Sequence, residues 1–501
     1  MENQIKKLHV AILPSPFMGH LIPQFQFAKH LAILHNFQVT FFLLSTDSSS
    51  AQSQFLLHSQ TLPDGLHFHH LPPLDISPFV SDSTEIQSRA SIIIRESTPH
   101  IKSAIADIIP PNIFVFDFLA TDAFEIADEL GIPKYIFFTS PATVLPFMMY
   151  LPTLDRQIPG EFIDLKEPVR VPGCKPIPID DLIDPVRNRK TGSYKWFLYH
   201  ASRFPLVNGI FVNTCQDLEP TVLRSLREDP ILRQIATPRV YPVGPLIKLD
   251  KPSSSSENLK MEYLTWLDMQ PCDSVLFISF GSGGTLSAEQ MTELAWGLEL
   301  SQQRFIWVAR KPFEVDMAAA RTFFSVGAEH NNFAAYLPDG FLSRIKGLGL
   351  VIQSWAPQAE ILSHSSIGGF LTHCGWNSML ESIYNGVPMI AWPLFAEQWG
   401  NATMLTEELR VAVKAGVKRE KGSVVRREEI ERVVRLVMAE GEEMKILRNR
   451  VKELQQNVIK SVDEDGSSYN ELSEVAKEWK SNISGSDFSM NSEEIKGINE
   501  A

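Results

Sequence analysis

The chain predicts an α/β protein made of two doubly wound, parallel-sheet halves. Three observations lead there. Strand-like runs rich in Val, Ile, Leu and Phe alternate with longer helix-like stretches along most of the 501 residues. Strands separated by helices return as right-handed parallel crossovers. The alternation stops near residue 250, at Pro252 and four consecutive serines, and then resumes. A chain of this length also exceeds what one core usually supports.

In the first half LHVAILP reads as a strand and GHLIPQFQFAKHLAIL as a helix beginning close to His20. QVTFFLL is the second strand, and NIFVFDF is a buried strand ending at Asp117. TDAFEIADELG follows as a helix closed by Gly131, with KYIFFTS as the next strand. From about 150 to 205, Pro and polar residues blur any periodicity, which predicts lids or substrate loops. The expected divisions are a first domain over 1–247, a Ser- and Pro-containing linker over 248–259, a second domain over 260–480 and a disordered tail over 481–501. The last helix of the second domain is expected to return to the first. Within that domain SVLFISF is a strand, GSGG a turn and SAEQMTELAWGLELS a helix, with Ser287 and Gln290 as a capping box. RFIWVAR is the next strand, followed by an insertion from Lys311 to about Tyr336.

Composition narrows the function classes. The net charge of −13 and the lack of a long basic run argue against nucleic acid or an anionic membrane as partner. Cys174, Cys215, Cys272 and Cys374 are scattered and form no CxxC pair, which disfavours a disulfide framework or structural zinc and suits a reducing cytoplasm. The amino terminus lacks the flanks of a signal peptide, and no apolar stretch is long enough to span a bilayer. His67, His69 and His70 sit in a short strand-like segment and read as surface or packing residues, and no metal site is expected. A cytoplasmic monomer is the expectation.

The segment from Trp355 to Gln398 carries most of the functional signal. IGGFLTH is a strand, His373-Cys374-Gly375-Trp376-Asn377-Ser378 a tight turn, MLESIYNG a helix stopped at Gly386, and MIAWPL the next strand. A strand turning into a helix start gathers unpaired N–H groups and the positive end of the helix dipole, which favours an anion. Ser378 and Glu381 also fit a capping box that needs no ligand at all.

Trp355, Gln358, His373, the Gly-Trp-Asn-Ser core, Glu381 and the closing Glu397-Gln398 together resemble the signature box of plant UDP-dependent glycosyltransferases. The similarity extends over most of the chain and is nearest to the phenol-directed, hydroquinone glucosyltransferase type. The resemblance implies the GT-B fold, two Rossmann-like domains facing a cleft, with a UDP-sugar as donor substrate and no metal. Trp355 would stack on uracil, with Ala356 in the same turn, and Gln358 and Glu381 would hold the ribose. Ser282, His373, Asn377 and Ser378 would contact phosphate, and Trp376, Glu397 and Gln398 would face the sugar. Gln398 at the final position implies glucose.

His20 stands beside a helix amino terminus, where imidazolium is disfavoured and the neutral, proton-accepting form is favoured. An ionised Asp117 at the end of an apolar strand needs a partner. The resemblance makes His20 the general base and Asp117, rather than Asp122, the group that orients it. Phe17, Phe118, Leu119, Phe147 and Met148 are candidates for an apolar acceptor pocket. Phe17 stands where relatives usually carry Gly, and Met379 and Trp399-Gly400 also depart from the common pattern. The reaction implied is inverting transfer of glucose to a hydroxyl of a small phenolic or related metabolite, giving a β-O-glucoside. Another UDP-sugar, or a UDP-sugar-binding protein without transfer, are the alternatives. A nucleotide-dependent oxidoreductase lacks the expected G-x-G-x-x-G turn.

Overall fold

The computed structural model describes residues 7–44, 62–81, 83–235, 237–248, 257–312, 333–353, 355–420 and 422–498. The first sheet contains β1 (His9–Leu13), β2 (Gln38–Leu43), β3 (Leu66–His70), β4 (Ile113–Asp117), β5 (Lys134–Phe138), β6 (Gly209–Val212) and β7 (Arg239–Pro242). All pairings are parallel, in the order β3-β2-β1-β4-β5-β6-β7. The second sheet contains β8 (Val275–Ser279), β9 (Arg304–Ala309), β10 (Gly349–Gln353), β11 (Ile367–Thr372), β12 (Met389–Ala391) and β13 (Ala412–Lys414). It is also parallel throughout, in the order β10-β9-β8-β11-β12-β13.

Helices cover both faces of each sheet, so the central strands are buried on two sides. That explains why β4, β8 and β11 read as unbroken apolar runs rather than alternating ones. Each sheet has an apolar cluster on either face. The helix Ser467–Ile498 returns to the first domain. Its Leu472, Val475, Ala476 and Trp479 share a cluster with Val10, Phe37 and Phe211, and the Trp479 ring meets Tyr135 edge-on at 5.1 Å. The segment 481–498, expected as tail, continues this helix in its backbone. Much of the expected linker (249–256) and insertion (313–332) lies outside the described residues.

The stretch 150–205 differs from expectation, since much of it is helical: Val144–Gln157 and Gly192–Arg203 flank short 3₁₀ turns. Pro152 inside the first helix masked its periodicity, yet Phe147, Met148, Leu151 and Leu154 bury one face in the core. The second helix is capped by Thr191, whose Oγ1 accepts from the Tyr194 N–H at 3.1 Å. At Ser287 the hydroxyl accepts from the Gln290 N–H at 3.2 Å. The Gln290 amide instead pairs in both directions with the backbone of Val425, so only half of the expected capping box forms.

Candidate active site

In the first sheet, strand order reverses between β1 and β4. In the second it reverses between β8 and β11. Loops leaving the carboxyl ends of such a pair diverge in opposite directions and open a crevice. The two crevices meet in one cleft of about 800 Å³, with His20 and Phe118 on one wall and Gly281, His373 and Glu381 on the other.

On the first wall the helix Met18–His35 starts just after β1, which puts His20 in its first turn. Its Nδ1 lies 2.9 Å from Oδ2 of Asp117, the fully buried last residue of β4. Asp117 also accepts from Ser15 Oγ at 2.6 Å, from Gln24 Nε2 at 2.5 Å and from the Leu119 N–H at 3.0 Å. Burial pushes this carboxyl up. Attraction to His20 and the bonds from His20, Ser15 and Leu119 outweigh it, holding the group below the ordinary carboxylate value. With Nδ1–H given to Asp117, the ring's lone pair lies on Nε2. Phe118 stacks on the imidazole at 5.4 Å and 24°, and Phe17 meets it edge-on at 5.4 Å. Asp122 is bound by Tyr199 Oη at 2.7 Å and does not join this pair.

The second wall is built around His373. Gly281 has φ +72°, and a Cβ there would lie 2.4 Å from the ring; one on Gly375 would come equally close. Two glycines are therefore required for the imidazole to sit between them. Burial, with the nearby Arg310 charge, pushes His373 down to about 4, so the ring is neutral. Its buried Nδ1 has no hydrogen-bond partner among the described residues.

The helix Trp376–Tyr384 has Gly375 as its N-cap, without a side-chain cap. This overturns the capping-box reading. Ser378 is the third residue of the helix rather than its cap, so Glu381 cannot close a box with it. Gln358 instead bridges them, donating from Nε2 to Ser378 Oγ at 2.8 Å and to Glu381 Oε2 at 2.7 Å. Burial raises Glu381 to about 7, against the pull of that bond.

Several signature residues have additional ties, some across the cleft and some local. Trp376 Nε1 donates to the Asn213 carbonyl at 2.8 Å, so its largely buried indole joins the domains while touching the cleft. Asn377 Nδ2 donates to the Gly19 carbonyl at 2.8 Å. Gln398 Oε1 accepts from the Leu394 and Phe395 N–H groups at 2.9 and 3.0 Å. Asp184 of the first domain accepts from the Ala396 N–H at 2.6 Å and from Arg419, gripping a turn in which Ala396 has φ +57°. That grip fixes where Glu397 begins its helix. Glu397 lies on the cleft wall near His20, and burial raises its carboxyl.

Trp355, Ala356, Ser282, Phe17 and Leu119 also line the cleft. Phe147 and Met148 do not: both are buried in the first domain's core, on a helix that the sequence reading had not recognised. Val144, Ile183 and Phe197 stand on the cleft wall instead, together with Arg310 and Lys248, none of them anticipated. Arg310 follows β9 and donates to the Ser282 carbonyl, and burial lowers its guanidinium to about 10. Its position at a strand's carboxyl end, next to the Gly281 turn in the sheet order, was a usable signal. Among the described residues no group of three or more His, Cys, Asp or Glu could hold a metal ion, and no helix is long and apolar enough to cross a membrane.

Two Rossmann-like domains meeting at their switch points define a GT-B glycosyltransferase architecture. Comparison with known proteins makes the class specific. The family model described as UDP-glucoronosyl and UDP-glucosyl transferase matches residues 253–442. Hydroquinone glucosyltransferase of Rauvolfia serpentina is 46% identical over 483 residues, spanning 95% of this chain and 98% of the relative. Anthocyanidin 3-O-glucosyltransferase 5 of Manihot esculenta is 44% identical over 474 residues, spanning 94% and 96%. The solved structure of TcCGT1 in complex with UDP superposes with TM-score 0.88 at 44% identity, covering 95% of this chain and 100% of that one. The chain belongs to the plant UDP-dependent glycosyltransferase family, and it is a UDP-glycosyltransferase.

Proposed function

We propose that this enzyme moves glucose from UDP-glucose to a hydroxyl of a small phenolic acceptor, with inversion to a β-O-glucoside. The observation that carries the reading is the His20–Asp117 pair at one switch point, facing the uncapped helix start at Gly375 across a single cleft. His20 Nε2 takes the acceptor's O–H proton, and Asp117 holds the ring's tautomer and stabilises the imidazolium that forms. The acceptor oxygen bonds to the anomeric carbon from the face opposite UDP while the bond from that carbon to the phosphate oxygen breaks. The departing diphosphate gains negative charge where the N–H groups of the helix start, Ser282, neutral His373, Asn377 and Ser378 converge. Trp355 and Ala356 form the uracil platform, Gln358 and Glu381 the ribose site, and Trp376, Glu397 and Gln398 the sugar site.

The acceptor end is apolar and aromatic, with Phe17 and Phe118 flanking the base, which suits a flat phenol. The two glucosyltransferase relatives named above support glucose and a phenolic acceptor. Incubation with UDP-glucose and a panel of phenols, with product mass and anomeric configuration read by mass spectrometry and NMR, tests this. A β-glucoside is expected. An α-glucoside refutes inversion, and UDP-glucose binding with no product from any phenol favours a binder over a transferase.

A further inference from the structure

Gln24 is an amide with no solvent exposure on a helix face that otherwise buries Leu21, Phe25, Phe27 and Ala28. It lies one turn beyond His20, so both side chains reach the same carboxylate. His20 Nδ1 and Gln24 Nε2 both approach Oδ2 of Asp117, at 2.9 and 2.5 Å, while Ser15 and the Leu119 N–H occupy Oδ1. An ionised carboxylate only accepts, so Gln24 must present its NH₂. Its own carbonyl oxygen is then turned into a buried place with no hydrogen-bond partner among the described residues. Leaving a buried acceptor unmatched is unfavourable, and an aliphatic side chain would fill the same volume without that cost. The compensating interaction is the charge-assisted bond to Asp117.

We propose that Gln24 is a positioning residue for the base: by sharing Oδ2 with His20, it fixes the carboxylate and limits how strongly Asp117 draws the proton on His20 Nδ1. A second donor on Oδ2 stabilises the carboxylate charge, so less of that charge is available to the imidazolium formed during transfer. The other titratable groups in this field are Glu397, on the cleft wall near His20, and His200, buried where it feels the Asp117 charge. His200 has both ring nitrogens engaged, at 2.9 Å from Ser91 Oγ and 2.7 Å from Thr121 Oγ1.

The inference rests on His20 being the base. Gln24→Met keeps the side chain's length and removes the donor, and Gln24→Leu serves if that variant fails to fold. On the full chain, with UDP-glucose and a phenol that it accepts, the acidic limb of the pH profile of kcat/KM should move up by roughly half a unit. Below the limb, kcat/KM then falls about threefold. NMR titration of the His20 ring should shift in the same direction, independently of turnover. Ser15→Ala, which removes a donor from Oδ1 instead, should move both readouts less. A Gln24 variant with a lower melting temperature but an unmoved limb and an unmoved His20 titration overturns the proposal, because Gln24 then only fills space. A fully active His20→Ala removes the base reading and this inference together. An inactive His20→Ala beside an unmoved Gln24 variant removes this inference alone.

Discussion

Glu381 gives the sharpest energetic prediction. It is 7% exposed and held up to about 7, against an ordinary value of 4.5, because burial disfavours its charge. Below about pH 4.5 the folded and unfolded chains are both protonated there, and the group exerts no pH-dependent penalty. Between 4.5 and 7 the unfolded chain releases the proton first, so the folded state loses stability. Above 7 the penalty is complete, at about 3 kcal/mol from about 1.4 kcal/mol per pH unit. Glu381→Gln removes the charge and keeps an acceptor for Gln358. Its stability should match wild type near pH 4.5 and exceed it by up to about 3 kcal/mol at pH 8, read from denaturant midpoints across that range. UDP affinity should fall about 10- to 100-fold, the scale of losing hydrogen bonds to a charged acceptor. In the wild type, UDP should bind more tightly as pH rises through 7, since ribose hydroxyls favour the ionised form. A variant that binds UDP normally and shows no pH-dependent stability gain refutes both the burial argument and the ribose assignment.

Two further perturbations follow from the packing. Gly281→Ala places a Cβ 2.4 Å from the His373 ring at φ +72°. We predict a loss of about 2–3 kcal/mol in stability together with weakened UDP binding, by denaturation and calorimetry; unchanged UDP affinity would remove His373 from the diphosphate site. Phe17→Gly deletes a ring packed edge-on against His20. It should cost about 3 kcal/mol and raise the turnover of bulky phenols relative to small ones several-fold in a competition assay. An unchanged acceptor ranking would remove Phe17 from specificity.

Much of the architecture was legible because parallel, doubly covered strands are written as apolar runs, as at β1, β4, β8 and β11. Some edge and short strands were not: β13 is only three residues long, and the apolar Leu-Val-Ile run of β10 is too short to tell a strand from a helix segment by periodicity. Helix Val144–Gln157 was hidden by Pro152, and that hid the core position of Phe147 and Met148. At the site, Asp117 was readable from its place at a strand end and His20 from its place at a helix start, both also from resemblance, and the structure brings them to 2.9 Å. The capping alternative at Ser378 fails because three-residue spacing does not say where a helix begins, and Gly375 caps this one. Ties such as Asp184 to Ala396 and Asn377 to Gly19 join residues 212 and 358 positions apart, beyond any local pattern.

The most direct test of the account is the transfer rate of His20→Ala with UDP-glucose and a phenol that the wild type glucosylates, measured beside UDP-glucose affinity. The account predicts donor binding near the wild-type level with transfer reduced by roughly 10²–10⁴-fold, the usual contribution of a general base. Full transfer activity in His20→Ala would contradict it, and the proton would then have to leave by another group.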